Sequence, residues 1–156
     1  MSKKNKKKEP ERGEVFGEGK DLTKMSPRSP RERVAGFVVL ARMIDKCRAE
    51  LWGDSGEYKF GCGLDQKLLA FKGVYVDALR SLVAQGKTDK EIGEWFLKKG
   101  VSKSEEQIKE WSDRCEGNNY SSDPEKKKWL ESENERLGLS KDATLFDMLD
   151  ADDRLM

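Results

Sequence analysis

Apolar positions recur every three or four residues along most of the chain, the period of amphipathic helices rather than the alternation of strands. The pattern is clearest after "SPRE". Ser29 suits an N-cap, Pro30 the first helical position, and Glu32 completes a capping box. A helix is predicted from there to about Trp52, with Gly53 as its stop. At 1.5 Å per residue, roughly 22 residues make a rod about 33 Å long, the natural centre of a domain this size. Val34 to Leu40 are apolar all round, so that half should be covered on both sides. Gly36 costs roughly 1 kcal/mol against Ala in mid-helix, which implies close approach by another helix.

The next stretch, "GDSGEYKFGCG", carries four glycines in eleven residues. Helix is disfavoured there, and an ordered loop crossing the end of the first helix is expected. Helical spacing then returns. Leu64, Leu68, Leu69 and Phe71 lead to Gly73. Leu79, Leu82 and Val83 lie in a helix from about Val76 to Gln85. "TDKE" and "SEEQ" are capping boxes at Thr88 and Ser104. Asp123 with Pro124 opens a further helix, and Thr144 caps a last one through "LFDMLDADD". The fold class is therefore all-α: a single bundle of six to seven helices around a long first helix. Trp52, Trp95, Trp111 and Trp129 fall on four different helices, where each is expected to anchor its helix to the core.

"LARMIDKCRAE" disturbs this picture, because Arg42, Asp45, Lys46 and Arg48 interrupt an apolar run. At about 100° per residue, Leu40, Met43, Ile44, Cys47 and Leu51 share one stripe. Arg42 and Lys46 lie opposite and read as a solvated face, unless the following loop covers them. Asp45 and Arg48 flank the stripe as an i, i+3 pair. They read either as a structural ion pair or as a site in which Arg48 reaches a ligand carboxylate or phosphate.

Composition narrows the chemistry. Of 156 residues, 31 are basic and 30 acidic, and none is histidine. Histidine triads, Cys/His zinc sites and His-ligated haem are excluded. No cofactor or metal is expected. Cys47, Cys62 and Cys115 form a poor disulfide framework, which points to reduced thiols in a cytoplasmic protein. No apolar run approaches the roughly 20 residues of a membrane span. Residues 1–20 hold seven basic residues against four Glu, leaving 24 basic and 26 acidic in the rest. This lysine-rich tail is expected to be disordered, with the domain covering residues 21–156. A nearly neutral body lacks the footprint of specific nucleic-acid binding.

From Asp21 to Asp153 the chain resembles the bacterial family catalogued as domain of unknown function 5069. The resemblance rests on Arg28 to Arg31, then Gly36, Arg42, Asp45, Lys46 and Arg48, then Gly56 to Tyr58 and Cys62 to Gln66. "TDKEIGEW", "SSDPE" and "FDMLDADD" extend it. The family pattern often has Pro where Gly63 stands. The resemblance implies a compact single domain with its signature in the first half, and no known function. Signature charges without an evident stability role suggest a site.

Two readings follow. One is a pocket for a small anionic ligand, carboxylated or phosphorylated, between the first helix and the Gly-rich loop. Its candidate residues are Arg42, Asp45, Lys46, Arg48, Tyr58, Cys62 and Asp65. Tyr58 can donate a hydrogen bond, Asp65 can orient or accept a proton, and Cys62 beside a cation would be a nucleophile. Convergence of Arg42, Arg48, Tyr58 and Asp65 on one cavity is the requirement. The other reading is a non-catalytic module for a protein partner or homodimer. In "DMLDADD", Asp147, Asp150, Asp152 and Asp153 read as a charged tail or a divalent-cation cluster, or Asp147 and Asp150 as partners of a first-helix arginine.

Overall fold

The computed structural model describes residues 19–155, so the lysine-rich tail lies, over residues 1–18, outside the described residues. Seven helices follow: α1 (Leu40–Trp52), α2 (Gly63–Lys72), α3 (Val76–Val83), α4 (Asp89–Lys98), α5 (Glu105–Glu116), α6 (Pro124–Arg136) and α7 (Leu145–Asp153). No strand occurs among the described residues, and the all-α class holds. Local chemistry places most boundaries. Thr88, Ser104 and Thr144 each form a complete capping box, with Glu91, Gln107 and Asp147 respectively. Asp123 caps α6 ahead of Pro124. Each cap contributes about 1 kcal/mol to its helix.

The expected long first helix is corrected. α1 begins at Leu40 and has 13 residues, not about 22. Ala35 (φ 53°) and Val39 (φ 75°) adopt left-handed backbone, which no right-handed helix accommodates. Residues 30–39 instead close on themselves. Val34 and Phe37 exchange backbone hydrogen bonds of 3.1 and 2.9 Å, and Val39 N donates to Pro30 O at 2.9 Å. Ser29 does not cap: its hydroxyl donates to Asp150 Oδ1 at 2.7 Å. The apolar run is buried as a loop. Phe37, Val38 and Val39 are fully covered, and Phe37 sits edge-on against Phe96 with centroids 5.0 Å apart. This plug and the stripe Met43, Ile44 and Cys47 form the main core, joined by Leu68, Leu79, Ile92, Ile108 and Phe146.

A smaller cluster of Leu130, Leu145 and Met148 joins α6 to α7 and touches α2 through Leu64. Trp95 and Trp111 pack against the main core. Trp129 departs from expectation: it is 49 % exposed, because its neighbour Leu130 takes the inward position on α6. Among the described residues no helix is long and apolar enough to cross a membrane.

Gly93 on α4 marks where the plug loop presses on the bundle. A Cβ there would stand 3.0 Å from Val34 Cγ1 and 3.1 Å from Ala35 Cβ. Gly93→Ala therefore sets a helix-propensity gain of about 1 kcal/mol against overpacking of about 1–3 kcal/mol. Net destabilisation is expected in urea unfolding, and a more stable variant would refute this packing.

Candidate functional site

Four charged side chains of α1 are buried: Arg42, Asp45, Lys46 and Arg48 are each 8 % exposed or less. Burial of that kind demands a partner, since one left unpaired costs about 3–5 kcal/mol. Each finds it outside the helix. Arg42 Nη1 donates to Asp153 Oδ2 at 2.7 Å and its Nη2 to Oδ1 at 3.2 Å, a two-pronged grip on α7. Asp45 accepts from Arg28 N, Nε and Nη2 at 2.8, 3.1 and 3.0 Å. Lys46 pairs with Asp65 Oδ2 at 2.9 Å. Arg48 pairs with Asp89 Oδ1 at 2.9 Å and donates to Lys87 O at 3.0 Å.

One expectation falls here: Asp45 and Arg48 do not pair with each other, because each is drawn to a group arriving from another segment. For Arg42 and Lys46 the exception to a solvated face applies, since Tyr58 and Cys62, from the segment after Gly53, lie against them. Gly56 lets that segment fit: at φ 57°, a Cβ would meet Leu22 O at 2.8 Å. The loop thereby lies against residues 22–23, with Leu22 N donating to Asp54 O at 2.9 Å.

The candidates divide into two places. Arg28 links Asp45 to Asp89 through Nη1 at 2.7 Å, so Arg28, Asp45, Arg48 and Asp89 form one network between the segment leading into the plug loop, α1 and α4. Burial raises the Asp89 carboxyl, but hydrogen bonds and charge from Arg28, with Arg48, outweigh it and hold it below its ordinary value. Neither Arg48 nor Asp65 lines the groove described next, so the required convergence of Arg42, Arg48, Tyr58 and Asp65 fails for those two residues.

Arg42, Lys46, Tyr58 and Cys62 do converge. They line a groove of about 890 Å³ whose walls come from Leu22, Leu64, Leu145, Leu149, Trp129 and Leu155. Tyr58 sits under the Arg42 guanidinium, 5.5 Å from ring centroid to Cζ, and donates to Asp153 Oδ1 at 2.8 Å. Burial, then that hydrogen bond, pushes its phenol up to about 12. Lys46 Nζ donates to Cys62 Sγ at 3.2 Å, at the start of α2, where no side chain caps the helix. Asp65 lies fully buried beneath, also accepting from Gly61 N at 2.9 Å, while its Oδ1 makes no hydrogen bond. It orients Lys46 without reaching the groove.

The acidic stretch of α7 is neither a loose tail nor a cation cluster. Asp147 and Asp150 pair with Arg31, Asp152 with Arg136, and Asp153 with Arg42. Sequence reasoning placed Arg31 in the first helix, so the arginine partner was foreseen and its setting was not. Arg28, Asp89 and Asp153 were missed as partners. The arginines flanking Ser29 and Pro30 carried a signal, but Arg31 reads as part of the helix and Arg28 as the residue before its cap.

Two outcomes test this site. Asp65→Asn leaves Lys46 buried without its counter-ion and should lower stability by about 3–5 kcal/mol in urea unfolding; a loss below about 1 kcal/mol would contradict the pairing. Burial pushes Cys47 up to about 12 and Cys115 up to about 11. At pH 8 fewer than roughly one in a thousand of either is thiolate. Iodoacetamide should therefore label groove-lining Cys62 first, as read by peptide mass spectrometry, with Cys115 joining as pH rises toward 11. Equal labelling of Cys47 in the native protein at pH 8 would be inconsistent with this burial.

No curated protein matches the chain. A family model described as "domain of unknown function (DUF5069)" matches residues 24–155, which span the plug loop, the buried charges of α1 and all seven helices. The chain belongs to the DUF5069 family.

Proposed function

We propose that the groove binds a small amphipathic molecule with a single carboxylate. One observation carries this reading: a nearly buried ammonium, Lys46 at 3 % exposure, stands at the floor of a groove walled largely by leucines and Trp129. An ammonium has three N–H donors. Asp65 and Cys62 engage two of them, leaving one for a ligand oxygen. The leucine walls take the apolar body, at about 0.8 kcal/mol for each CH₂ removed from water.

Charge separates a carboxylate from a phosphate. Arg42 and Lys46 each hold an internal carboxylate, so the floor is a row of neutral pairs. A dianion would meet no uncompensated cation there and would lose its hydration for little return. A monocarboxylate makes the smaller demand.

The groove rim favours a second reading. Trp129 and Leu155, 49 % and 68 % exposed, would serve equally as a contact for a second copy of the chain or another protein. A native mass above the monomer would favour it.

Titration with octanoate, followed by tryptophan fluorescence, tests the first reading, since Trp129 is the only tryptophan lining the groove among the described residues. Saturable binding is expected, with the signal lost in Trp129→Phe and binding lost in Leu149→Glu. Octylamine should bind at least about tenfold more weakly, because an ammonium has no acceptor for the remaining Lys46 N–H. Equal affinity for octylamine, or undiminished octanoate binding by a folded Leu149→Glu protein, would overturn the reading.

A further inference from the structure

A second cavity, of about 550 Å³, adjoins the groove at Leu64, Tyr120 and Leu145, which line both. Its electrostatics are different. Lys67 from α2 and Lys126 from α6 bring their ammonium groups to 4.9 and 5.5 Å from the centroid of the Tyr120 ring. Among the described residues neither ammonium has a carboxylate within ion-pair distance. Arg114 also lines the cavity and pairs with Glu110 at 2.8 Å. Asp123 is the one carboxylate of the lining among the described residues, and it is engaged as the α6 cap, accepting from Lys126 N at 3.2 Å. Two cations thus converge on one aromatic ring with no counter-ion, and the ring's negative face offsets their repulsion only in part.

The ring is held in place. Tyr120 takes a left-handed backbone, φ 58°, and its N–H donates to Asn118 Oδ1 at 3.0 Å. Trp111 borders the same cavity and is stacked on Phe71 with centroids 5.0 Å apart. Cations and fixed aromatic surface therefore share one small space, and the charge deficit of this cavity matches a dianion where that of the groove does not.

We infer that this cavity binds a small phosphomonoester, its phosphoryl group between Lys67 and Lys126 and its organic part against Tyr120 and Trp111. Lysine ammonium groups are common phosphate ligands, and a phosphomonoester near pH 7 carries close to the two charges that these lysines lack. The inference does not rest on the groove reading.

Isothermal titration of the full chain with phenyl phosphate tests it. Binding is expected, weakened at least about tenfold in the Lys67→Gln/Lys126→Gln double variant. Both side chains are exposed, so the variant should keep its circular dichroism spectrum and octanoate affinity. The control Lys127→Gln/Lys128→Gln, on the same helix and outside the cavity lining, should bind normally. Unchanged affinity in the first variant, or an equal loss in the control, would overturn the inference. So would inorganic phosphate binding as tightly as phenyl phosphate, since the aromatic wall would then contribute nothing. Failure of octanoate in a protein that binds phenyl phosphate as described would remove the groove reading alone.

Discussion

The arrangement depends on one constraint: α1 carries four charged side chains into the interior, and each must be neutralised there. A helix cannot satisfy that demand alone when its own charges are turned toward different neighbours. Arg42 takes Asp153, Asp45 takes Arg28, Lys46 takes Asp65 and Arg48 takes Asp89. The partners come from α7, the segment leading into the plug loop, α2 and α4. Four segments are thereby fixed to one rod by direction as well as by contact. Apolar packing of similar area would hold them as firmly but would tolerate sliding; a two-pronged guanidinium–carboxylate pair does not.

The groove is a by-product of that arrangement. Arg42 reaches α7 and Lys46 reaches α2, so the helices diverge around two ion pairs instead of meeting on leucines. The space between them is floored by paired charges and bordered by the Gly-rich loop, and its apolar walls include Leu64, Leu145 and Leu149 from the edge of the α6–α7 cluster. An apolar groove with a polar, internally neutral floor follows from geometry that also serves stability.

Much of the fold was legible because its signals are local. Thr88, Ser104, Asp123 and Thr144 begin helices through hydrogen bonds to residues three positions on, and periodicity between them survives any tertiary context. Residues 30–39 were misread for the opposite reason. "SPRE" has every local mark of a helix start, yet the serine answers to Asp150, 121 positions away. The left-handed turns at Ala35 and Val39 are imposed by insertion of Phe37 into the core, and neither residue type advertises them. The site shows the same division. Lys46, Tyr58, Cys62 and Asp65 were found together because they lie within twenty positions of one another. The network of Arg48 was invisible because Asp89 lies 41 positions along and Arg28, which bridges to it, stands just ahead of the expected helix start, where no periodicity points to a partner. Trp129 reads as a core anchor in the sequence and is instead half exposed, while Leu145 and Leu149 belong to the α6–α7 cluster on their other side.

The clasp between Arg42 and Asp153 also sets an order of events during synthesis. α1 emerges from the ribosome early, with its arginine destined for burial, while the carboxylate that receives it is 111 residues downstream. Until α7 has been made, burying Arg42 leaves an uncompensated charge in the core. Water must therefore hold that side of α1 until α7 has emerged. The core around α1 closes only once α7 is available, and that helix acts as its latch.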